Sequence, residues 1–313
     1  MLALNVVEML SSPLMLRSLL AAILVGISAP IVGTYLVHRR LAMMGDGIGH
    51  IALTGVALGW LVGSWLQLAS PEDLAIPGAL VISVAGALLL EGIRIAGRTS
   101  SDVALAILFY GGIAGGVLLI GLAGGTSSQL NSYLFGSIAT VTDTDIWATA
   151  ALAAVIIAVG IGLAPALYAV CHDEDFARSC GLPVRLLSLL IALLAAFTVA
   201  IAMRVVGSLL VSALMIVPVA SAQLLTRSFR STMATAMAIG VATCVSGLTL
   251  TYYYDLSPGA AIVVLAIGVY ALLFALRPIM EGLRGRKASS RGYSETQMHP
   301  EREQVGTPPR PTA

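Results

Sequence analysis

Apolar runs of roughly 20 residues recur from Leu14 almost to the C-terminus, each long enough as a helix to cross the ~30 Å hydrocarbon core of a bilayer. A pattern that dense leaves few architectures open. Of the 313 residues, 58% are hydrophobic and 11% charged, whereas an ordinary soluble domain carries about 25% charged residues. The sequence predicts an all-α, polytopic membrane bundle, with spans near 16–37, 47–68, 75–93, 102–123, 146–170, 186–203, 205–225, 232–252 and 258–276. That makes about nine crossings, eight if one run fails to span.

The placement of positive charge supports this count separately from hydropathy. With nine spans, Arg39–Arg40, Arg94 with Arg98, Arg178 with Arg185, Arg227 with Arg230, and the stretch from Arg277 to Lys287 fall on one side. The opposite loops, 69–74, 124–145 and 253–257, contain no Lys or Arg, and Arg204 is the single exception. Cytoplasmic loops collect Lys and Arg, so the expected orientation is N-terminus outside and C-terminus in the cytoplasm of a plasma membrane. The first apolar run, from Arg17 to Val37, is too long for a signal-peptide core and lacks a cleavage pattern, which makes it a retained span. Residues 1–284 then form one membrane domain. Residues 285–313, rich in Pro, Ser, Arg and Glu, read as a disordered cytoplasmic tail.

Composition also excludes function classes. A net charge of +1 offers nucleic acid no global attraction. The three cysteines, Cys171, Cys180 and Cys244, form neither a CxxC pair nor a disulfide framework. The stretch Gly92–Thr99 imitates a phosphate-binding loop, but Arg98 stands where Lys is required and no strand precedes it. Nucleotide binding by this chain is therefore not expected. The glycine series Gly45/Gly49, Gly55/Gly59/Gly63, Gly111/Gly115 and Gly112/Gly116 has the spacing that lets membrane helices approach closely.

Two polar constellations remain. Asp46 and His50 enter the second span four residues apart, on one helical face. A carboxylate and an imidazole are costly at membrane depth, and both are ligands for Zn²⁺ or Mn²⁺. Two ligands are half of a tetrahedral set, which a two-fold copy of the chain would complete. The alternative is that Asp46 caps its helix while His50 packs near the interface. Glu91, Asp102 and Asp255, at span ends, read as interfacial groups.

The second constellation is the polar segment 172–184. Asp173, Glu174 and Asp175 open it, Arg178 lies near its end, Gly181 suits a helix stop and Pro183 precedes the next span. This is the pattern of a short cytoplasmic helix held between two spans, a natural knob for a soluble partner.

Together these segments resemble the membrane permeases of bacterial ABC-type zinc, manganese and iron importers, over residues 14–276. The runs 40–50, 173–181, 204–218 and 253–260 are each similar to a signature of that family, in the same order. The resemblance implies a metal-handling role for Asp46 and His50. It also implies that Asp173, Glu174, Asp175, Ala177 and Gly181 belong to a coupling segment seated in a cleft of a cytoplasmic ATPase subunit. An external metal-binding protein and a second copy of the chain would complete the assembly. No bound cofactor and no hydrolytic chemistry are expected of this chain; its cargo would be a divalent cation, zinc by ligand count, or else manganese or iron(II). An ion-gradient-driven transporter is the rival class, and it leaves the docking segment unexplained. An intramembrane metalloenzyme would need a third ligand from a distant span, and the chain has no HExxH.

Overall fold

The computed structural model describes residues 11–298, apart from residues 69, 98–99, 125, 138–141, 204–205, 209 and 255. Arg98, Arg204, Asp255 and the end of the expected tail, 299–313, lie outside the described residues. The described residues form twelve α-helices and no strand. In chain order they are α1 (Pro13–His38), α2 (Met44–Trp65), α3 (Ala75–Ala96), α4 (Ser101–Leu122), α5 (Ser127–Phe135), α6 (Asp143–Gly162), α7 (Ala164–His172), α8 (Glu174–Ser179), α9 (Val184–Ala202), α10 (Val211–Leu225), α11 (Phe229–Tyr253) and α12 (Pro258–Met298). A short 3₁₀ turn, Pro71–Leu74, leads into α3. Eight helices are long and apolar enough to cross a membrane.

The seventh expected span, 205–225, is only partly helical. Met203, Val206, Ser208 and Leu210 lie in turns rather than helix, and the apolar helix α10 has 15 residues, about 22 Å at 1.5 Å per residue. Gly207, among them, lies at φ +91, and a Cβ there would strike the carbonyl of Leu134. The Ser208 amide donates to the Tyr133 carbonyl at 2.9 Å. At the far end of α10, Phe229 packs on Tyr35, His38 and Tyr168, with ring centroids 5.5, 5.1 and 4.7 Å away. The short helix therefore runs between the end of the bundle that holds α5 and the end that holds His38.

The expected span 146–170 is broken. A capping box between Thr142 and Asp145 starts α6, the chain turns at Leu163, and Pro165 sits in the first turn of α7, where its missing N–H costs nothing. Helix α5 falls inside the polar loop 124–145, as the apolar insert there suggests. Helix α12 continues beyond Gly285 to Met298, and the compact unit containing the site described below ends at Tyr270.

Helix α2 is wrapped by glycine contacts that fix its neighbours. A Cβ on Gly55 would come within 2.5 Å of the Gly78 carbonyl oxygen, and one on Gly63 within 2.6 Å of that of Pro71, so this face is the seam with α3 and the 3₁₀ turn. On a second face, a Cβ on Gly112 of α4 would lie 2.6 Å from the His50 carbonyl carbon. A third face, with Gly45 and Gly49, meets Ser212, Met215 and the Ser208 carbonyl of the α10 region. Without side chains in the way, backbones approach closely and dispersion contacts replace lipid. In α1, Pro30 cannot donate to the Gly26 carbonyl, and at that point α11 crosses through Gly240, whose Cβ would lie 2.5 Å from the same oxygen.

Candidate functional site

Asp46 does not cap α2. The cap position is Met43, with no side-chain bond, and Asp46 sits in the first turn, where free amides still favour a carboxylate. Its Oδ1 accepts a hydrogen bond of 3.1 Å from Ser212 Oγ of α10. His50, one turn on, is 2% exposed, and its Nε2 lies 3.7 Å from Asp46 Oδ1, too far for a hydrogen bond. The ring stands edge-on to Phe109 of α4 at 4.2 Å between centroids. Its Nδ1 is buried without a hydrogen-bond partner.

This arrangement fits a transition-metal ion. Two ligands each about 2.1 Å from a tetrahedral ion sit about 3.4 Å apart, close to the 3.7 Å observed. The nitrogen that would bind such an ion is Nε2; the buried Nδ1 on the other side of the ring has no hydrogen-bond partner and stays outside that bridge. The close approach of Gly112 to the His50 backbone presses α4 against this turn, and the small Gly45 and Gly49 admit Ser212 of α10 and the Ser208 carbonyl that precedes it. Among the described residues no group of three His, Cys, Asp or Glu side chains converges. One chain thus offers two strong ligands and a hydroxyl held against one of them.

An open cavity of about 340 Å³ reaches Asp46, with Met43, Asp102, Leu105, Phe109 and Tyr110 also lining it. Asp102, read from the sequence as an interfacial group, faces this space. A second cavity of about 210 Å³ shares Met43, Asp102 and Leu105 with the first and extends to Arg40, Glu91 and Arg94. Ser212 was hidden from sequence reasoning: it lies 166 residues from Asp46, and the one hint was its place in the run 204–218.

The docking segment has the local structure its residues dictate. Asp173 caps α8 by accepting from the Asp175 and Phe176 amides, both at 3.0 Å. At the other end, Gly181 at φ +79 takes the left-handed position, with Leu182 N–H donating to the Ala177 carbonyl at 3.1 Å and Gly181 N–H to that of Arg178 at 3.0 Å. That is a Schellman stop. Asp175 pairs with Arg178 at 3.0 Å on the exposed side, a contact worth little by itself. Ala177 is fully buried and seats the helix on the bundle, while Phe176, not singled out by its sequence context, is 61% exposed.

Glu174 alone of the three acids turns inward. Its Oε1 accepts from Arg39 Nη2 and, at 3.1 Å, from Arg94 Nη1. Arg94 also grips Glu91 through Nε (3.0 Å) and Nη2 (2.8 Å). Glu91 is only 1% exposed: the expected interfacial group is instead enclosed and paired. Ser188 of α9 accepts from Arg39 at 3.0 Å and Arg94 at 3.4 Å. Burial alone would raise the Glu174 carboxyl, but the hydrogen bond from Arg39 and the charges of Arg94 and Arg39 hold it below its ordinary value.

Comparison with known proteins agrees with this architecture. Residues 11–277 match the model of the ABC 3 transport family. The manganese transport system membrane protein MntC of Halalkalibacterium halodurans is 32% identical over 271 residues, covering 87% of this chain and 90% of that protein. A probable iron transport system membrane protein of Haemophilus influenzae is 29% identical over 272 residues, 87% of this chain and 97% of its own. Among solved structures, PsaBC from Streptococcus pneumoniae in complex with Fab superposes with a TM-score of 0.76 at 30% identity, covering 88% of this chain and 95% of that one. The chain belongs to the ABC 3 transport family and is a multi-pass membrane permease subunit, a transport component rather than an enzyme.

Proposed function

We propose that this permease imports a divalent first-row metal ion, manganese first, through a site built on Asp46 and His50. The observation that carries the reading is the buried His50, whose Nε2 lies 3.7 Å from Asp46 Oδ1, beyond a hydrogen bond and near the separation of two ligands on one ion. Ligand number alone favoured zinc. Manganese takes precedence because carboxylate and hydroxyl oxygens, Asp46 with Ser212, suit it better than a nitrogen- and sulfur-rich set would, and because relatives are named for manganese and for iron. Two ligands per chain call for a second copy, related by two-fold symmetry, to complete the coordination.

In this reading the basic end of the bundle is cytoplasmic, so the N-terminus is external and α8 faces a cytoplasmic ABC ATPase, with Phe176 as its apolar knob. An external metal-binding protein supplies the ion at the opposite end, near α5. Exchange of ligands must be fast, which favours a site weaker than that of the donor protein. The test is metal uptake by proteoliposomes holding permease and ATPase. Asp46→Ala and His50→Ala should each abolish manganese uptake while the complex still assembles; wild-type uptake in both variants would overturn the site.

A further inference from the structure

The ion cluster at the base of α3 does more than neutralise buried charge. Arg39 lies at the end of α1, just before the joint that opens α2; Glu91 and Arg94 belong to α3; Ser188 to α9; and Glu174 is the first residue of α8. Two guanidinium groups face two carboxylates, so the set is neutral as a whole. The Arg39 side chain is only 4% exposed, and that of Glu91 2%, whereas Glu174 keeps 35%. Pulling Glu174 away would strand nearly enclosed charges, a heavier penalty than dragging the helices along. The link between α8 and the bundle is therefore stiff in tension.

Arg94 is the branch point. Its planar fork holds Glu91 through two nitrogens and leaves the third for Glu174, a geometry that lysine cannot reproduce. The cavity of about 210 Å³ beside Glu91 and Arg94 gives this corner room to shift, and it shares Met43 and Asp102 with the cavity that reaches Asp46. Arg39 reaches the same helix by another route, through the α1–α2 joint, where Arg40 at φ +58 makes the reversal.

We propose that Arg94, clamped between Glu91 and Glu174, is a positioning residue that transmits displacement of α8 to the helix bearing Asp46, so that losing the clamp lets ATP be hydrolysed without metal import. The proposal rests on the reading of α8 as the seat of the ATPase. Its function is separable from that of the metal ligands, because the clamp touches neither Asp46 nor His50.

The experiment measures manganese ions imported per ATP hydrolysed in proteoliposomes of the full complex, alongside manganese binding and ATPase retention. Two variants are used: the charge-neutralising double Glu91→Gln/Arg94→Gln, which leaves Arg39 paired with Glu174 and no lone buried charge, and Glu174→Gln, at the partly exposed end, should the double variant not fold. Each should lower the ions imported per ATP by about tenfold or more while manganese binding persists, and combining all three changes should add less than about twofold, as expected of groups that act as one unit. Arg94→Lys should recover part of the ratio. An unchanged ratio in the folded variants, or a loss of uptake that tracks lost ATPase or lost manganese binding, overturns the clamp. Phe176→Asp separates the two ideas: if it leaves the ATPase bound at wild-type strength, the seat itself is misassigned, and if it releases the ATPase while the clamp variants import normally, only the clamp fails.

Discussion

The two polar clusters of this permease are built on opposite principles. Around Arg94 every charge is answered: Glu91, Glu174, Arg39 and Ser188 meet at hydrogen-bonding distance. Around Asp46 and His50 the polar atoms are left open, with Nδ1 unpartnered, Nε2 beyond hydrogen-bond reach of Asp46, and a cavity reaching Asp46. A satisfied buried network rigidifies what it joins, whereas an unsatisfied one is poised to take a ligand. In the proposed reading, the first cluster is the part that holds and the second the part that receives.

The comparison is most sharply broken by leaving the satisfied cluster half-made. Arg94→Ala strands the enclosed Glu91 and should cost about 3–5 kcal/mol, the range for removing one partner of a buried pair, read as thermal unfolding in detergent. The paired change Glu91→Gln/Arg94→Gln should cost far less. Equal losses would mean that packing, not charge, holds this corner.

On the receiving side the effects should fall on affinity. Ser212→Ala removes the hydroxyl that orients Asp46 and should weaken manganese binding by roughly 10-fold, the low end for an outer partner of a metal ligand, with thermal stability almost unchanged. A stability loss without an affinity change would make Ser212 a packing residue.

The smallest effect concerns pH. Because the folded Glu174 carboxyl lies below its ordinary value of 4.5, its stabilising contribution is complete above that value and fades as pH falls through the lower, folded one. The stability difference between wild type and Glu174→Gln should thus stay constant from about pH 5 to 8 and shrink only on stronger acidification. A difference that vanishes near the histidine range, about 6.5, would place the governing proton elsewhere.

Much of the fold was legible because a bilayer imposes a length on its helices: six of the nine expected runs appear as single helices within a few residues of their predicted bounds, and a seventh starts at its predicted Pro258 but runs on to Met298. The other two failed for a shared reason. Hydropathy does not distinguish an apolar turn from a helix, so Met203, Val206 and Leu210 looked like span when they form the approach to α10. Leu163 and Pro165 hid a break in the same way.

At the site, the i, i+4 pair Asp46 and His50 was visible because helical periodicity is local. Ser212 and the enclosure of Glu91 were not, since their partners lie far away in the chain and only tertiary packing joins them. Within the docking segment, the acid cap and glycine stop obey local rules and were readable. The inward turn of Glu174 depends on Arg39 and Arg94, and was not.

The most direct measurement is equilibrium manganese binding by the purified permease–ATPase complex, comparing wild type with the near-isosteric variants Asp46→Asn and His50→Gln. The account predicts one ion for every two permease chains in the wild type and its loss in each variant, with folding and ATPase association intact. Wild-type stoichiometry and affinity in both variants would contradict it.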